Sequence, residues 1–495
     1  MPSVPAARIR RVNDRPLDPN GEFVLYWMIA ARRLRWNFAL QHAVDLANEL
    51  RRPLLVFEPL RCGYRWASDR LHRFVLDGMA ANAEAAEHAR ITYYPYVEPA
   101  ADAARGLLET LAARACTVVT DWYPSFFLPA LTAAGGRASR VRLEAVDGNG
   151  IVPLAAQAKA YTSARSYRAF VQRELRAHLQ GIPDEDPLGR LAIDKCALPD
   201  TIRRRWPAAP TGWLDPGASL QALPIDHDVA PAPMRGGSAA AGRALRRFVQ
   251  RNLAPYADCH NHPDDDCTSR LSPYLHFGHI SAHEVFASIM TAERWTTRKL
   301  ARRGGGVRAG WWGVSASAEG FLDQLIVWRE LAFNGCEWIP RYADYDSLPA
   351  WARGTLEAHA ADPRPHRYSF ETLAAAATHD ELWNAAQRQL RAEGWFHGYL
   401  RMLWGKKILE WAPDGAAALA WMEALMNRHA LDGRDPNSYA GYTWVLGRYD
   451  RPWPERPVFG TVRAMTSESA KRKLRLRELL KKYGDHTPAR GQARP

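Results

Sequence analysis

Several features are scarce in this sequence of 495 residues, and each scarcity argues against a class of protein. Only six cysteines are present, and none of them forms a CxxC pair. Their spacing matches neither the disulfide framework of a small secreted protein nor a strong zinc motif. No apolar run reaches the length of a membrane-spanning helix, and no leader pattern is recognisable. We therefore expect a reduced, cytoplasmic protein that does not associate with a membrane.

Positive charge and apolar bulk are both plentiful. Lys and Arg number 66 against 53 Asp and Glu, which gives a formal net charge of +13. This balance suits a polyanionic partner, because neutralised phosphates release their counterions. High Arg usage also accompanies GC-rich coding, so charge alone does not decide the partner. A hydrophobic fraction of 47% in a chain of this length supports two separate cores.

The apolar pattern changes along the chain and predicts three regions. Five short apolar runs alternate with Ala- and Leu-rich stretches and lie at 23–29, 53–60, 91–97, 117–122 and 141–146. This rhythm is typical of a Rossmann-like parallel sheet covered by helices. Pro, Gly and Asp then become frequent, and helical periodicity follows. We predict an α/β domain over 20–180, a linker over 181–240 and an all-α domain over 241–485.

A stretch rich in Ser and Thr lies at the start of a predicted helix in the all-α region. Tyr256 precedes it by twelve residues, and the stretch comprises Thr268, Ser269, Arg270, Leu271 and Ser272. Hydroxyls beside unpaired backbone N–H groups at a helix start favour anions such as phosphate. An ordinary capped helix is the alternative.

Three tryptophans are spaced so that they can meet. Trp404 and Trp411 are seven residues apart and share one helix face at about 10 Å, while Trp383 lies 21 residues before Trp404. Aromatic side chains at helical spacing usually pack a core, which is the alternative to an electron-transfer role.

The C-terminal half resembles a known family. Residues 431–437 have the sequence Leu-Asp-Gly-Arg-Asp-Pro-Asn, and 455–460 have the sequence Glu-Arg-Pro-Val-Phe-Gly. With Thr-Ser-Arg-Leu-Ser-Pro at 268–273, they resemble the flavin domain of the DNA photolyase and cryptochrome family. The similarity is greatest to class II cyclobutane pyrimidine dimer photolyases, and it implies the photolyase/cryptochrome architecture with a FAD-binding all-α domain.

The resemblance implies FAD as cofactor. Tyr256 and the stretch 268–272 would hold its pyrophosphate, and Arg401 would pair with Asp432 beneath the isoalloxazine ring. A guanidinium there stabilises negative charge on reduced flavin, whereas a structural salt bridge is the alternative. The other flavin-facing positions would be Asp435, Asn437 and Met426. An antenna chromophore, a deazaflavin or a folate, is common in the α/β domain of the family, but no residue set identifies one here.

The resemblance also assigns roles in electron transfer and in DNA binding. Trp404 would lie nearest the flavin, Trp383 in the middle and Trp411 toward solvent. A flipped-out dimer would be contacted by Gln324, Trp328, Met402 and Trp444. Trp453 would fill the hole left in the duplex, and Arg456 and Arg463 would contact phosphates.

Two positions depart from the class II pattern. Gln324 replaces a Glu, and an amide does not titrate as a carboxyl group does. The neighbouring Asp323 points about 100° away around a regular helix and is a poor substitute. Met426 replaces an Asn opposite flavin N5, and a thioether donates no hydrogen bond; Asn427 is a partial replacement.

We therefore predict a monomeric deoxyribodipyrimidine photo-lyase type of enzyme, a carbon–carbon lyase that binds UV-damaged double-stranded DNA and repairs cyclobutane pyrimidine dimers by electron transfer from reduced FAD. The alternative is a flavoprotein photoreceptor or redox protein with weak or no repair, which the two departures would permit. A zinc site at Cys259, His260, His262 and Cys267 is a further alternative, although the spacing matches no strong metal pattern, and we predict no metal.

Overall fold

The computed structural model describes residues 4–484, which form two compact units. The sheet unit comprises residues 4–257, Ser269–Pro340 and Arg434–Asn437. The helical unit comprises Asp258–Thr268, Arg341–Gly433 and residues 438–484. This division differs from the predicted domains, because the sheet unit takes in the predicted linker and much of the predicted all-α domain. The predicted end of that domain, residue 485, lies outside the described residues.

A six-stranded sheet forms the centre of the sheet unit, with strand order β1-β6-β5-β2-β3-β4. The strands are β1 Ile9–Arg11, β2 Phe23–Trp27, β3 Leu54–Leu60, β4 Ile91–Val97, β5 Ala115–Trp122 and β6 Leu143–Asp147. All neighbours pair in parallel except β1, which is antiparallel to β6. Each of the five predicted apolar runs overlaps one of β2 to β6, and the predicted fold class is confirmed.

Both faces of the sheet are covered, as a parallel sheet requires. Along β2, Val24 and Tyr26 belong to one core and Leu25 and Trp27 to the other, because successive strand side chains point to opposite faces. Asn37 caps the first helix by accepting the backbone N–H of Leu40 at 3.1 Å.

The helices of the sheet unit are α1 Phe38–Leu50, α2 Asp69–Glu87, α3 Leu107–Ala112, α4 Leu128–Ala138, α5 Ala164–His178, α6 Asp200–Arg205, α7 Thr211–Leu214, α8 Ser238–Arg247, α10 Ser272–His276, α11 Ala282–Ala292, α12 Ala316–Leu322 and α13 Arg329–Trp338. Short 3-10 turns lie at Ala6–Arg8, Leu154–Ala156, Pro187–Arg190 and Thr297–Lys299. Two π-helical segments, Phe248–Asn252 and Asp323–Trp328, interrupt the regular pattern.

The predicted linker is packed against the sheet unit's core. Ile202 and Trp206 are buried with the residues of one sheet face, and Leu223 is buried with Leu60 and Val75. Apolar side chains placed between the frequent Pro and Gly residues of this segment are buried. The segment therefore packs over the sheet unit and is not a free linker. The Pro and Gly residues were visible in the sequence, but the packing of this segment against the sheet unit was not.

The helical unit is built around one continuous core. Its helices are α14 Ala350–Ala358, α15 Phe370–Ala374, α16 Glu381–Glu393, α17 Gly398–Trp411, α18 Gly415–His429, α20 Ser467–Lys473 and α21 Arg477–Tyr483, with 3-10 turns at Pro263–Asp265 and Tyr345–Ser347. Helices α9 Tyr256–Cys259 and α19 Pro436–Val445 begin in the sheet unit and end in the helical unit. Within residues 4–484, no helix is both long and apolar enough to span a bilayer.

A disulfide joins Cys259 to Cys267 in the helical unit, which corrects the expectation of fully reduced cysteines. Their Cα atoms are 5.9 Å apart because the intervening loop folds back, a geometry that a spacing of eight residues does not reveal. The Asp264 carboxylate of this loop accepts the backbone N–H groups of Glu478 and Leu479 at the start of α21. Across the described chain, no cluster of three or more His, Cys, Asp or Glu side chains is arranged to hold a metal ion.

The disulfide predicts a defined thiol count and a stability difference. Denatured, non-reduced protein should take up alkylating reagent at Cys62, Cys116, Cys196 and Cys336 alone, and reduced protein at all six positions, as measured by mass spectrometry. Cys259→Ser should lower the free energy of unfolding by about 2 to 3 kcal/mol, because the open loop gains entropy in the unfolded chain. The control Cys196→Ser should leave that value nearly unchanged. Labelling of six thiols without reduction would contradict the pairing.

Candidate active site

The residues singled out from the sequence are divided between the two units. The sheet unit holds Tyr256, Ser269, Arg270, Leu271, Ser272, Gln324, Trp328, Asp435 and Asn437. The helical unit holds Thr268, Trp383, Arg401, Met402, Trp404, Trp411, Met426, Asp432, Trp444, Trp453, Arg456 and Arg463.

A buried ion pair joins Arg401 of α17 to Asp432. The Arg401 Nη2 atom lies 2.9 Å from both carboxylate oxygens of Asp432, which is only 4% exposed. The next residue, Gly433, has no room for a side chain, because a Cβ atom there would stand 2.9 Å from both the Asn427 Cα and the Met426 carbonyl oxygen. The turn carrying Asp432 is therefore pressed against the end of α18, and the structure brings Met426 close to this turn.

Met426 and Asn427 are both buried on α18. The Oδ1 atom of Asn427 accepts a hydrogen bond from the Tyr442 hydroxyl at 2.9 Å. That contact ties Asn427 to α19, so its side chain already serves the packing of two helices. Met426 lines the same region with a thioether, which accepts hydrogen bonds weakly and donates none.

The three tryptophans form a continuous run of rings. Trp383 stacks on Trp404 with centroids 6.3 Å apart and planes 3° from parallel, and it meets Trp411 at 5.5 Å and 72°. The indole N–H of Trp383 donates to the Trp404 carbonyl at 3.0 Å, and that of Trp404 donates to the Gln387 amide oxygen at 2.9 Å. Trp383 thus lies between the other two, held by hydrogen bonds that fix the ring planes.

Trp411 does not face solvent, which corrects the predicted exposure of the outer ring. Its side chain is 1% exposed and is covered by Tyr368 and His379, whose ring centroids lie 5.2 and 5.7 Å away. The covering segment lies between α14 and α16 and was not assigned a role from the sequence. Helical spacing places Trp411 on a face of α17 and carries no information about which loop lies over that face.

Thr268 carries a polar atom that lacks a partner. Its hydroxyl oxygen is buried, and no hydrogen-bond partner for it exists among the described residues. A buried hydroxyl left unpaired costs about 1 to 3 kcal/mol. Such an atom marks a place where a ligand oxygen would be stabilised.

The sheet-unit part of the predicted phosphate stretch is a tight turn. Arg270 has a positive φ of 52°, and the Ser269 hydroxyl oxygen accepts the backbone N–H of Leu271 at 3.3 Å. Tyr256 is buried in edge-to-face contact with Phe248 and Phe321 at 5.7 and 5.5 Å. Burial, followed by the charge of Asp323, raises the pKa of Tyr256, so its hydroxyl stays a neutral donor.

Gln324 and Trp328 lie on the π-helical segment Asp323–Trp328, a feature often found at functional sites. Gln324 is exposed and Trp328 is half-buried. The neighbouring Asp323 is buried and accepts Arg168 Nε at 2.7 Å and Nη2 at 3.1 Å, so it is committed to a bidentate ion pair. This agrees with the expectation that Asp323 is a poor substitute for a carboxyl group at position 324.

The helix after this segment is anchored by two charged side chains. Arg329 donates to the Asn149 carbonyl at 2.6 Å, and Glu330 accepts the Ile151 backbone N–H at 2.7 Å. Burial raises the pKa of Glu330 to about 7. These contacts fix α13, and through it the π-helical segment, to the loop that follows β6.

Asp435 makes all its described contacts within the sheet unit. One carboxylate oxygen accepts the side-chain N–H of Asn437 at 2.8 Å, and the other accepts the Tyr123 hydroxyl at 2.7 Å and lies 3.2 Å from His276 Nδ1. Burial raises the pKa of Asp435, but the bonds from His276 and Asn437 outweigh it and hold the pKa well below its usual range. Its flavin-facing role remains a prediction.

A cavity of about 340 Å³ opens in the sheet unit. Strand order reverses between β2 and β5, and ligands of open α/β sheets bind beyond the strand ends at such a reversal. The wall is mostly apolar and aromatic and includes Trp27, Phe57, Tyr64, Tyr123, Phe126, Phe127, Leu131, His276, Phe277 and Arg434. Tyr123 and His276, which bond Asp435, therefore form part of this wall.

A buried lysine lies beside Trp444 and was missed in the sequence. Lys406 of α17 is 0% exposed, donates to the Val445 carbonyl at 2.6 Å and has its ammonium 5.0 Å from the Trp444 ring centroid. Burial lowers its pKa to about 7. Met402, one turn earlier on α17, packs against α19 at Gly441. The structure thus brings together Met402 and the helix that carries Trp444.

Trp453 stands on a narrow loop between two arginines. Its backbone N–H donates to the Thr461 carbonyl at 2.8 Å, and that of Arg456 donates to Gly460 at 2.9 Å. The guanidinium carbons of Arg463 and Arg451 lie 4.9 and 5.5 Å from the Trp453 ring centroid. Arg451 was not predicted, although its position two residues before Trp453 was a usable signal.

Comparison with known proteins decides the family. The chain is 34% identical over 479 residues to a deoxyribodipyrimidine photo-lyase from Methanothermobacter thermautotrophicus, covering 96% of this chain and 97% of that one. It is 31% identical to those of Arabidopsis thaliana over 490 residues and Potorous tridactylus over 483, covering 95% and 96% of this chain and 91% and 84% of theirs. The chain belongs to the deoxyribodipyrimidine photo-lyase family. The predicted photolyase/cryptochrome family and the predicted deoxyribodipyrimidine photo-lyase type of enzyme are thereby confirmed, and the class II similarity stays a prediction.

Solved structures agree on the fold of this photo-lyase family member. A class III photolyase from Agrobacterium tumefaciens matches with a TM-score of 0.64 at 18% identity, covering 88% of this chain and 82% of that one. A cryptochrome from Synechocystis matches with a TM-score of 0.62 at 12% identity, covering 93% and 86%. No protein-family model matches the chain.

The low pKa of Lys406 predicts a pH-dependent stability. The folded protein releases this proton near pH 7, whereas the unfolded chain holds it to about pH 10.4. The unfolded state therefore binds more protons above pH 7, and stability should rise with pH by up to about 1.4 kcal/mol per unit. Urea unfolding at pH 7 and 8.5 measures this slope. Lys406→Met should remove it and the exposed-lysine control Lys471→Met should keep it; equal slopes in all three proteins would contradict the assignment.

Proposed function

We propose that this chain repairs cyclobutane pyrimidine dimers in duplex DNA with light absorbed by a bound, reduced FAD. It would act as a monomer, bind UV-damaged double-stranded DNA and turn the dimer out of the base stack. The carbon–carbon bonds joining the two pyrimidines would break after one electron is transferred to the dimer, and the electron would then be transferred back. The reaction therefore needs light and no net oxidant or reductant.

Helix α17 carries the observation that most supports this proposal. Arg401 near its start is paired with the buried Asp432, and Trp404 one turn later begins the run of contacting rings. A guanidinium that stabilises negative charge and a chain of oxidisable rings on one helix suit a cofactor that must be kept reduced. Core packing alone requires neither the buried ion pair nor the hydrogen bonds that hold the ring planes.

The residues present fit FAD. FAD, when bound and reduced, would supply the light-driven electron. The Thr268 hydroxyl, buried without a partner in the described chain, would donate to a pyrophosphate oxygen. Arg401 would stabilise negative charge near the ring, and Tyr256 would contribute a neutral hydroxyl. The further predicted contacts are Ser269, Arg270, Leu271, Ser272, Met426, Asp435 and Asn437.

DNA binding is supported by the exposed loop that carries Trp453. A flat indole on a rigid loop would occupy the space left by the flipped dimer, and Arg456 and Arg463 would contact the flanking phosphates. Arg451 flanks the same ring and would act with them. The net charge of +13 adds long-range attraction to the phosphate backbone.

The dimer would be contacted by apolar walls and one amide. Trp328, Met402 and Trp444 would pack against the bases, and Gln324 would hydrogen-bond them. An amide both donates and accepts but has no acidic proton to share, so we infer slower repair than a carboxyl group would give. A photoreceptor or redox protein without repair is the alternative that this substitution and Met426 leave open.

We further propose a second chromophore in the cavity of the sheet unit. Its volume, its aromatic wall and its position at the strand-order reversal support a planar ligand of the deazaflavin or folate type. The wall residues Tyr123 and His276 would be held in place by Asp435.

The repair proposal predicts a light-dependent activity that position 324 tunes. Protein with chemically reduced FAD should repair a thymine-dimer oligonucleotide under blue light and not in darkness, as measured by chromatography of the product strand. Gln324→Glu should raise the rate about five- to tenfold, the factor for a hydrogen bond stronger by ~1 to 1.4 kcal/mol. Gln324→Ala should lower it.

The exposed Gln221→Glu serves as the matched control and should change nothing. Failure of all variants, with FAD bound, would contradict repair and favour the photoreceptor alternative. Repair by Gln324→Glu alone would mean an intact scaffold with a disabled pocket.

The second chromophore predicts separable effects of excitation wavelength. A deazaflavin or a folate added to the protein should bind and, when excited in its own band, drive FAD-dependent repair. Leu131→Trp should fill part of the cavity and abolish this contribution, while repair by directly excited flavin continues. If Leu131→Trp binds the chromophore as well as wild type does, the chromophore site lies outside this cavity.

A further inference from the structure

A glycine-rich loop of the sheet unit carries positive charges and no negative one. We call residues 296–310 the basic loop. Its five cationic side chains are all exposed: Arg298, Lys299, Arg302, Arg303 and Arg308. No Asp or Glu occurs between Glu293 and Glu319. Within residues 4–484, the guanidinium groups of Arg302 and Arg303 have no ion-pair or hydrogen-bond partner.

The glycines of the basic loop follow a fixed path over α5. The Gln172 amide oxygen accepts the backbone N–H groups of Gly305 and Gly306 at 3.1 and 2.8 Å, and its N–H donates to the Val307 carbonyl at 2.8 Å. Gly306 has a φ of 77°, and a Cβ atom there would stand 2.7 Å from the Arg165 carbonyl oxygen. The glycines therefore allow the backbone to approach α5 closely and to be held there by hydrogen bonds.

Both ends of the basic loop are held as well. Arg176, one turn beyond Gln172 on α5, donates to the Leu300 carbonyl at 3.0 Å. At the other end, the Glu319 carboxylate accepts the backbone N–H groups of Gly310 and Trp311 at 2.6 and 2.9 Å. The exposed arginines are therefore carried on a backbone whose position is set by the sheet unit.

One guanidinium joins the basic loop to the segment that carries Gln324. Arg168 donates to the Gly306 carbonyl at 3.4 Å and to the Asp323 carboxylate at 2.7 Å. Arg308 of the basic loop also approaches Asp323, with its Nε atom 4.0 Å from a carboxylate oxygen. A duplex brought to Gln324 would therefore lie beside the basic loop.

We propose that the basic loop contacts DNA phosphates and holds duplex DNA whether or not the DNA is damaged. This inference rests on the proposed function and extends its DNA contacts to the sheet unit. Arg302 and Arg303 would each neutralise one phosphate, because a guanidinium matches phosphate geometry and its binding releases counterions. Phosphate contacts position a duplex and carry no information about its bases. The basic loop would thus add affinity, and recognition of the dimer would be left to Gln324 and the other proposed lesion contacts.

DNA suits the basic loop better than an acidic protein segment does. Duplex DNA carries one charge per about 1.7 Å of its axis, so adjacent arginines on a fixed backbone meet phosphates without ordering a flexible partner. The link through Arg168 to Asp323 also ties the basic loop to the proposed DNA site. An acidic protein partner would need neither the fixed backbone nor this link.

The test measures the affinity of the FAD-bound protein for two duplexes, one with a thymine dimer and one without, between about 50 and 200 mM salt. Arg302→Gln combined with Arg303→Gln should reduce the magnitude of the slope of log K against log salt by about 1.8, because each phosphate contact contributes about 0.9. The ratio of wild-type to variant affinity should therefore shrink about tenfold across this range. Both duplexes should be affected equally, so the preference for the dimer should stay the same.

Arg203→Gln combined with Arg204→Gln removes the same charge from exposed positions of α6 and is the matched control, with the salt slope of wild type expected. An unchanged slope in the loop variant, or an equal reduction in the control, overturns the assignment. A loop variant that loses affinity for the dimer-containing duplex alone overturns the lesion-independent role. Wild type that binds neither duplex would overturn the proposed function, and this inference with it.

Discussion

The ion pair between Arg401 and Asp432 fixes the part of the helical unit on which the proposed chemistry depends. Removing one partner of a buried pair leaves an unpaired charge, which costs about 3 to 5 kcal/mol. The pair binds α17 to the turn at Gly433, and Gly433 in turn is pressed against the end of α18. Because Trp404 and Trp411 lie on α17, the same contact sets where the tryptophan chain stands relative to Met426.

Core packing and electron transfer are compatible demands on the same side chains. Trp383, Trp404 and Trp411 are among the most deeply buried side chains of the described chain and also contact one another ring to ring. Burial gives the rings a fixed geometry, and the hydrogen bonds of two indole N–H groups fix their planes. The spacing of the three tryptophans left two interpretations open, core packing and electron transfer. The observed geometry is compatible with both at once.

The sequence predicted those elements whose formation depends on residues close together in the chain. Strands β2 to β6 were found because buried parallel strands are continuous apolar runs, whereas β1 is a three-residue edge strand with the sequence Ile-Arg-Arg and carries no such pattern. The docking of residues 181–240 and the cover over Trp411 were missed because each depends on contacts distant in sequence. The disulfide was missed because a spacing of eight residues does not show that the loop between its cysteines folds back. Lys406 was missed because a lysine on a helix is usually solvated, and its contacts with Trp444 and Val445 of α19 are distant in sequence.

The two departures from the class II pattern affect the site in different ways. At position 324 the amide is exposed on a π-helical segment, and the nearest carboxylate, Asp323, is held by Arg168. No other residue of that segment carries a carboxyl group, so in the proposed pocket position 324 would act through hydrogen bonding alone. Met426 is instead packed under the Gly433 turn, where a polar side chain would need a buried partner. On the proposed function, the first departure would bear on the substrate and the second on the protonation of the flavin, so repair rate and flavin redox behaviour would vary independently.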